Sequence, residues 1–298
     1  HIYTGTTSSA ASDVYKRQEL KSPELLLRVL SCDIAVRCGD EASSDLLREC
    51  YSAFLLPAEA EFQPTLVYDV SHTGHPKGWT IRRDKTAIDC QDSYNLIYEF
   101  EKDMTVCVQL LRADLFFIHG AALSMAERCV IISGESGSGK SSLAWFMSYN
   151  GYDYLSDELA PVDPVSLQVE PYPHALCLKK KPLSKPSLPD STHYTDATIH
   201  VPAYELPTRA LDRPCPLSFL IFIDGSLNGR DLVMRAIGTA ESAARLYSNG
   251  LNQLSHRGDG LPVAVGMASG VSSYLMSGGS VEERAQAIRD LFDSAEAN

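Results

Sequence analysis

The sequence has no uninterrupted apolar run near the roughly 18 residues that a bilayer-crossing helix requires. Its longest candidates, 115–118 and 217–223, have the length of strands, so no membrane span and no membrane partner is predicted. Positive charge is also scarce: 26 Lys plus Arg stand against 38 Asp plus Glu, a net charge of −12. A chain held to nucleic acid through phosphates carries a basic face, and this balance argues against a general nucleic-acid binder. Eight cysteines are present, yet none forms a C-x-x-C pair, and several lie inside apolar runs where a reduced thiol packs as a small apolar group. That usage predicts the cytoplasm, and a chain of 298 residues has no need of disulfide staples. The opening segment lacks the apolar stretch of a secretion signal. Residues 1–18, ending Asp13-Val-Tyr-Lys-Arg-Gln18, are expected to be a non-native leader outside the fold.

The remainder has the composition of a globular chain, 44% hydrophobic and 21% charged, and its periodicities alternate between strand and helix. Leu25–Leu30 and Ile34–Val36 read as strands and Ala42–Leu55 as a helix. Phe62–Val70 and Trp79–Ile88 read as strands around a turn-rich loop, Ser71–Gly78, and Ser93–Leu111 as a helix with Leu96, Phe100, Met104 and Val108 on one face. These pieces predict a small N-terminal α/β lobe over 19–104, followed by a larger α/β domain over 105–298. In the latter, strands at Leu115–Gly120 and Cys129–Ser133 precede a helix stopped by Asn150-Gly151, and Tyr152–Ser156 is a further strand. A βαβ unit built this way places the loop after Ser133 and the carboxylate of Asp157 at the same edge of the sheet. Pro171–Pro189 reads as a loop carrying Lys179, Lys180, Lys181 and Lys185. Leu217–Asp224 is an interior strand, and 240–254 and 281–292 are helices on either side of a short strand at 273–276.

Gly134-Glu-Ser-Gly-Ser-Gly-Lys-Ser141 matches G-x-x-x-x-G-K-[ST] in full, with an apolar strand before it and a helix after it. The pattern suits phosphate. Gly134, Gly137 and Gly139 free the backbone so that successive N–H groups, including those of Glu135, Ser136, Ser138 and Ser142, face phosphate oxygens. Lys140 is expected to reach the β- and γ-phosphates of ATP, and the Ser141 hydroxyl to ligate Mg²⁺. Two acids compete for the supporting role. Asp224 ends an apolar strand as in an ATPase or nucleotide switch that passes phosphate only to water; Asp157-Glu158 offers the divided base and metal-ligand roles of a small kinase. His119 closes an apolar strand, and His174, His193 and His200 lack metal-ligand spacing and are expected at the surface.

Phe117-Ile-His-Gly-Ala-Ala122, Ser133-Gly-Glu-Ser-Gly-Ser-Gly-Lys-Ser-Ser142 and Gly151-Tyr-Asp-Tyr-Leu-Ser-Asp-Glu158, in that order and spacing, resemble the core of HPr kinase/phosphorylase, and more closely the HPr-kinase-related proteins of peptide-modification clusters. The resemblance covers about residues 115–165. It implies a P-loop core of the HPr kinase and phosphoenolpyruvate carboxykinase type and an ATP- and Mg²⁺-dependent kinase. Its acceptor would be a Ser hydroxyl of a peptide or protein, or a small hydroxylated metabolite. By the same resemblance, His119 lies near the transferring phosphate, Asp157 is the base, and Glu158 stands where the HPr enzymes have a second Asp, as a metal ligand beside Ser141. A homo-oligomer is suggested as well. The segment that serves phosphorolysis and HPr contact in that family is not found in this sequence.

Overall fold

The computed structural model describes residues 24–74, 78–182, 186–206, 213–225 and 231–296. The predicted leader, 1–18, the start of the predicted lobe, 19–23, and Lys185 lie outside the described residues. The described residues open with β1 (Glu24–Val29) and β2 (Cys32–Cys38), an antiparallel pair turned by Leu30 and Ser31 at positive φ. Helix α1 (Glu41–Cys50) starts where Asp40 Oδ1 accepts the Ser43 N–H at 2.9 Å, satisfying one of the free donors of a helix start. Strand β3 (Leu66–His72) lies parallel to β2, and β4 (Trp79–Arg83) and β5 (Thr86–Cys90) complete a five-stranded sheet. Two expectations are corrected here. The strand predicted from Phe62 begins only at Leu66, because Pro64 has no N–H to give a ladder. The single strand predicted over Trp79–Ile88 is a hairpin, turned at Asp84 with φ 53°.

Helix α2 (Ser93–Leu111) is capped by Asp92 and lays Leu96, Phe100 and Met104 on this sheet, against Leu27, Ile34, Tyr68 and Ile81. The same core takes in Leu115, Phe117, Leu159, Tyr172 and Ala175 from later in the chain. The N-terminal layer therefore shares its interior with residues of the larger domain, and the boundary expected between residues 104 and 105 falls inside α2.

The central sheet begins with β6 (Phe116–Met125) and β7 (Arg128–Gly134), joined through Ala126 and Glu127 at positive φ. Helix α3 (Lys140–Ser148), β8 (Asp153–Ser156), β9 (Leu159–Val162) and the short β10 (Gln168–Val169) come next in the chain. The predicted βαβ unit is split: β6 sits between β7 and β8, antiparallel to both. Two strands antiparallel to a common neighbour are parallel to each other, so Gly134 and Asp157 still emerge at one edge. The stretch predicted as loop after Pro171 contains β11 (Leu176–Leu178), which pairs in a small sheet with β13 (Ile199–Val201), itself paired to β12 (His193–Tyr194).

Strand β14 (Cys215–Asp224) runs parallel to β7, and β15 (Val233–Ala236) forms the far edge. Helices α4 (Thr239–Asn249) and α5 (Leu261–Gly270) lead to β16 (Ser272–Ser277) and α6 (Val281–Glu296), the last of the described elements. The interior strands are buried on both faces, so their side chains alternate between two cores. Val130, Ile132, Phe219 and Ile221 pack with α3 and α6; Cys129, Ile131, Leu220 and Phe222 pack with α4 and α5. The result is a mixed α/β architecture with helices on both sides of its main sheet. Among the described residues no helix is long and apolar enough to cross a membrane, and all eight cysteines are free thiols.

Helix α4 ends at Asn249, short of the predicted 254. Helix α5 is not predicted at all: Leu261-Pro-Val-Ala-Val-Gly-Met-Ala268 has no polar face to set a helical period, and Pro262 starts it where a missing N–H costs nothing.

Candidate active site

The Gly-rich segment leaves β7 at Gly134, where φ is 152° and an added Cβ would stand 2.6 Å from the Ile223 carbonyl of β14. Gly139 caps α3 in the left-handed region without a side-chain partner, so the first N–H groups of that helix are left to a ligand or solvent. Lys140 turns back over the loop. Its Nζ donates to the carbonyls of Gly134 at 2.8 Å and Glu135 at 3.2 Å, and the residue is only 7% exposed. Burial lowers its pKa, with the charges of Asp157 and Glu158 opposing the shift.

Asp157 follows β8 and is 1% exposed. Its Oδ2 accepts the backbone N–H of Cys177, in β11, at 2.9 Å, while Oδ1 is buried with no donor in hydrogen-bond geometry, although the Ser141 hydroxyl lies near enough to favour the carboxylate's charge. Burial, then the neighbouring Glu158, push its pKa up to about 7, against the opposing pull of the Cys177 N–H, His174 and the Ser141 hydroxyl. Glu158 is exposed, and its carbonyl accepts from Gly120 N at 3.2 Å. His119, half-buried on β6, is held by the Ser133 hydroxyl on its carbonyl at 2.8 Å. Burial and then the Lys140 charge depress its pKa below the usual imidazole value, which leaves the ring neutral at pH 7.

A cavity of about 280 Å³ gathers most of the predicted site: His119, Ser136, Gly137, Gly139, Lys140, Ser141, Ser142, Asp157 and Glu158 all line it. Gly134 and Glu135 instead border a second cavity, of about 550 Å³, whose wall includes Asp224, Arg245 and Asn249. Ser138, within the loop, is buried and borders neither cavity. The loop thus separates the two candidate acids, Asp157 on one side and Asp224 on the other. Of the lysine run, Lys179 and Lys180 line the first cavity.

Sequence reading missed three supports. Arg284 of α6, 6% exposed, donates from one guanidinium nitrogen to Ser138 O at 3.0 Å and from Nε to Gly278 O at 2.7 Å, bracing the loop from beneath. Cys177 acts through a backbone N–H, which leaves no trace in residue type. His174, expected at the surface, is 3% exposed: its Nδ1 donates to Ala175 O, and its Nε2 faces Glu101 Oε1 of α2 at 3.4 Å. Burial raises the Glu101 pKa, and His174 counters it. His200 is buried too, 6% exposed and hydrogen-bonded to Thr198, on β13, the middle strand of the small sheet. Among the described residues no group of three or more His, Cys, Asp or Glu is placed to hold a metal ion. Ser141, Asp157 and Glu158 in one wall suit a hard cation that draws its remaining ligands from phosphate and water, as Mg²⁺ does.

No family model matches the sequence, and no curated protein matches it. Among solved structures, the HPr(Ser) kinase/phosphatase from Coxiella burnetii aligns with a TM-score of 0.33 and 13% identity, covering 60% of this chain and 98% of that one.

Proposed function

We propose that this chain is a phosphotransferase, an ATP- and Mg²⁺-dependent kinase that transfers the γ-phosphate to a hydroxyl, with Ser of a peptide or protein as the acceptor. One observation carries the reading: a buried carboxylate with an unpartnered oxygen, Asp157 Oδ1, shares a cavity with Lys140 and Ser141 of a complete phosphate-binding motif. An uncompensated buried carboxylate oxygen is costly, and beside a phosphate-binding motif a bound ligand would complete it.

In this reading the N–H groups at the start of α3 and the remaining N–H of Lys140 bind the β- and γ-phosphates. Ser141 and Glu158 would hold Mg²⁺, whose charge would offset that of the phosphate oxygens. Asp157 Oδ1 takes the proton of the acceptor hydroxyl as its oxygen bonds to phosphorus. The bond from phosphorus to the β–γ bridging oxygen breaks, and ADP leaves with that electron pair. A carboxyl with a pKa near 7 is well matched to this duty, since the best base at neutral pH is one poised to gain and lose a proton there. His119, neutral, offers a hydrogen bond to the moving phosphoryl group.

One observation favours a second reading, an ATPase or switch. Asp224 ends the strand beside the loop's own, with Ile223 in register with Gly134. Incubation with γ-labelled ATP, Mg²⁺ and serine-bearing peptides or small hydroxylated metabolites separates them: label on an acceptor supports the kinase, and release of inorganic phosphate alone supports the ATPase.

A further inference from the structure

Lys140 is not the sole ammonium in the cavity wall. Lys179 and Lys180, just beyond β11, line it as well, and Lys179 Nζ donates to Ser136 Oγ at 2.5 Å, spanning from β11 to the outer part of the Gly-rich loop. A neutral hydroxyl is a weaker match for an ammonium than an anionic oxygen, whose opposite charge strengthens the bond. Both Lys179 and Ser136 are exposed, so the contact locks no packed side chain in place. Lys140 differs: it is buried and commits two of its N–H groups to loop carbonyls. The cavity therefore has an anchored cation in its floor and a reorientable one at its mouth.

The same strand serves the opposite side. Cys177 gives its N–H to Asp157 Oδ2, and Lys179 comes two residues later, so β11 fixes the spacing between the buried carboxylate and the reorientable ammonium. Asp157, with its Oδ1 in no hydrogen bond, and Lys179 line the same cavity. In a chain of net charge −12, a pair of lysines facing a phosphate-binding loop is a local reversal of the overall field.

We infer that Lys179 is a catalytic residue that contacts the terminal phosphoryl group. On nucleotide binding it leaves Ser136 Oγ for a non-bridging γ-oxygen, and holds that group between Lys140 and Asp157 through the transfer. It keeps its proton throughout and makes no covalent bond. The inference rests on the phosphotransferase reading above and adds to it that the chain tells triphosphate from diphosphate through this side chain.

Calorimetric titration of the full chain with Mg·ADP and with the non-hydrolysable Mg·AMP-PNP tests it. Lys179→Ala weakens Mg·AMP-PNP by about tenfold and changes Mg·ADP by no more than about twofold. Lys179→Arg recovers most of the loss. Lys181→Ala, exposed and outside the cavity wall, changes neither ligand. Equal weakening of both nucleotides by Lys179→Ala, or no weakening, overturns the inference while leaving the kinase reading intact. A wild-type chain that binds neither nucleotide, or a Lys140→Ala variant that binds both normally, overturns the nucleotide reading and this inference with it.

Discussion

Cys177 N–H and Asp157 Oδ2 meet at 2.9 Å, and through that single backbone bond β11 orients the carboxylate so that Oδ1 is left over. One oxygen of the carboxylate is satisfied by the fold, and the other is not. The arrangement has a thermodynamic signature. With its pKa pushed up to about 7 from an ordinary 3.8, Asp157 keeps its proton in the native chain over a pH range where the unfolded chain has lost it. Its contribution to stability is full below about pH 4 and is lost as the pH rises through about 7. Asp157→Asn removes that liability. In the nucleotide-free chain with chelator present, the melting temperature of Asp157→Asn relative to wild type is expected to be more favourable at pH 8 than at pH 5. An offset that is the same at both pH values contradicts the assignment.

Lys140 gives the second prediction. Its ammonium lies against two loop carbonyls with one N–H to spare, and truncation removes both the cation and the clamp on the loop. Lys140→Ala is expected to weaken Mg·ATP by about a hundredfold, the equivalent of roughly 2–3 kcal/mol for a charge-assisted contact, while far-UV circular dichroism stays unchanged. Wild-type affinity in that variant would remove the loop from the phosphate site.

Arg284 supplies the third. Its guanidinium is buried and joins the start of α6 to Ser138 O and Gly278 O. Arg284→Ala strands both carbonyls and costs about 2 kcal/mol, read as a fall of roughly 4–8 °C in melting temperature for a domain of this size. Because Ser138 is part of the loop, nucleotide affinity falls with it. A melting temperature unchanged from wild type would show that water replaces the guanidinium at no cost.

These supports mark where sequence stops being informative. The Gly134–Ser141 loop and Asp157 are legible because the signals are local: glycines where φ is positive, an apolar strand before the loop, a short buried strand before the acid. The helix start at α6 carries a local signal too, Ser280 and Glu283 capping each other through their backbone N–H groups. The insertion of β6 between β7 and β8 is not local, since a strand buried on both faces carries no pattern that names its neighbours. Arg284 lies in a helix rich in charge, where it reads as one more solvent-facing residue, and its partner Ser138 is 146 residues away. Burial of His174 comes from Tyr172 packed on its ring and from Glu101 of α2, neither of which shows in the spacing of histidines. The hairpin at Asp84 does carry a local signal, the four consecutive charged residues Arg82-Arg-Asp-Lys85, which interrupt the apolar pattern between Ile81 and Ile88.

The central claim is that Asp157, and not Asp224, works on the transferred phosphate. The direct measurement is a single-turnover assay with γ-labelled ATP, Mg²⁺ and a serine-bearing acceptor peptide, comparing wild type, Asp157→Ala and Asp224→Ala, each first shown by titration to bind Mg·ATP. Wild type is expected to place label on the acceptor. Transfer is expected to drop at least about a thousandfold with Asp157→Ala, in line with the loss of a general base, and to change within about threefold with Asp224→Ala. Undiminished transfer by Asp157→Ala, or phosphate released only to water and abolished by Asp224→Ala alone, would contradict the claim.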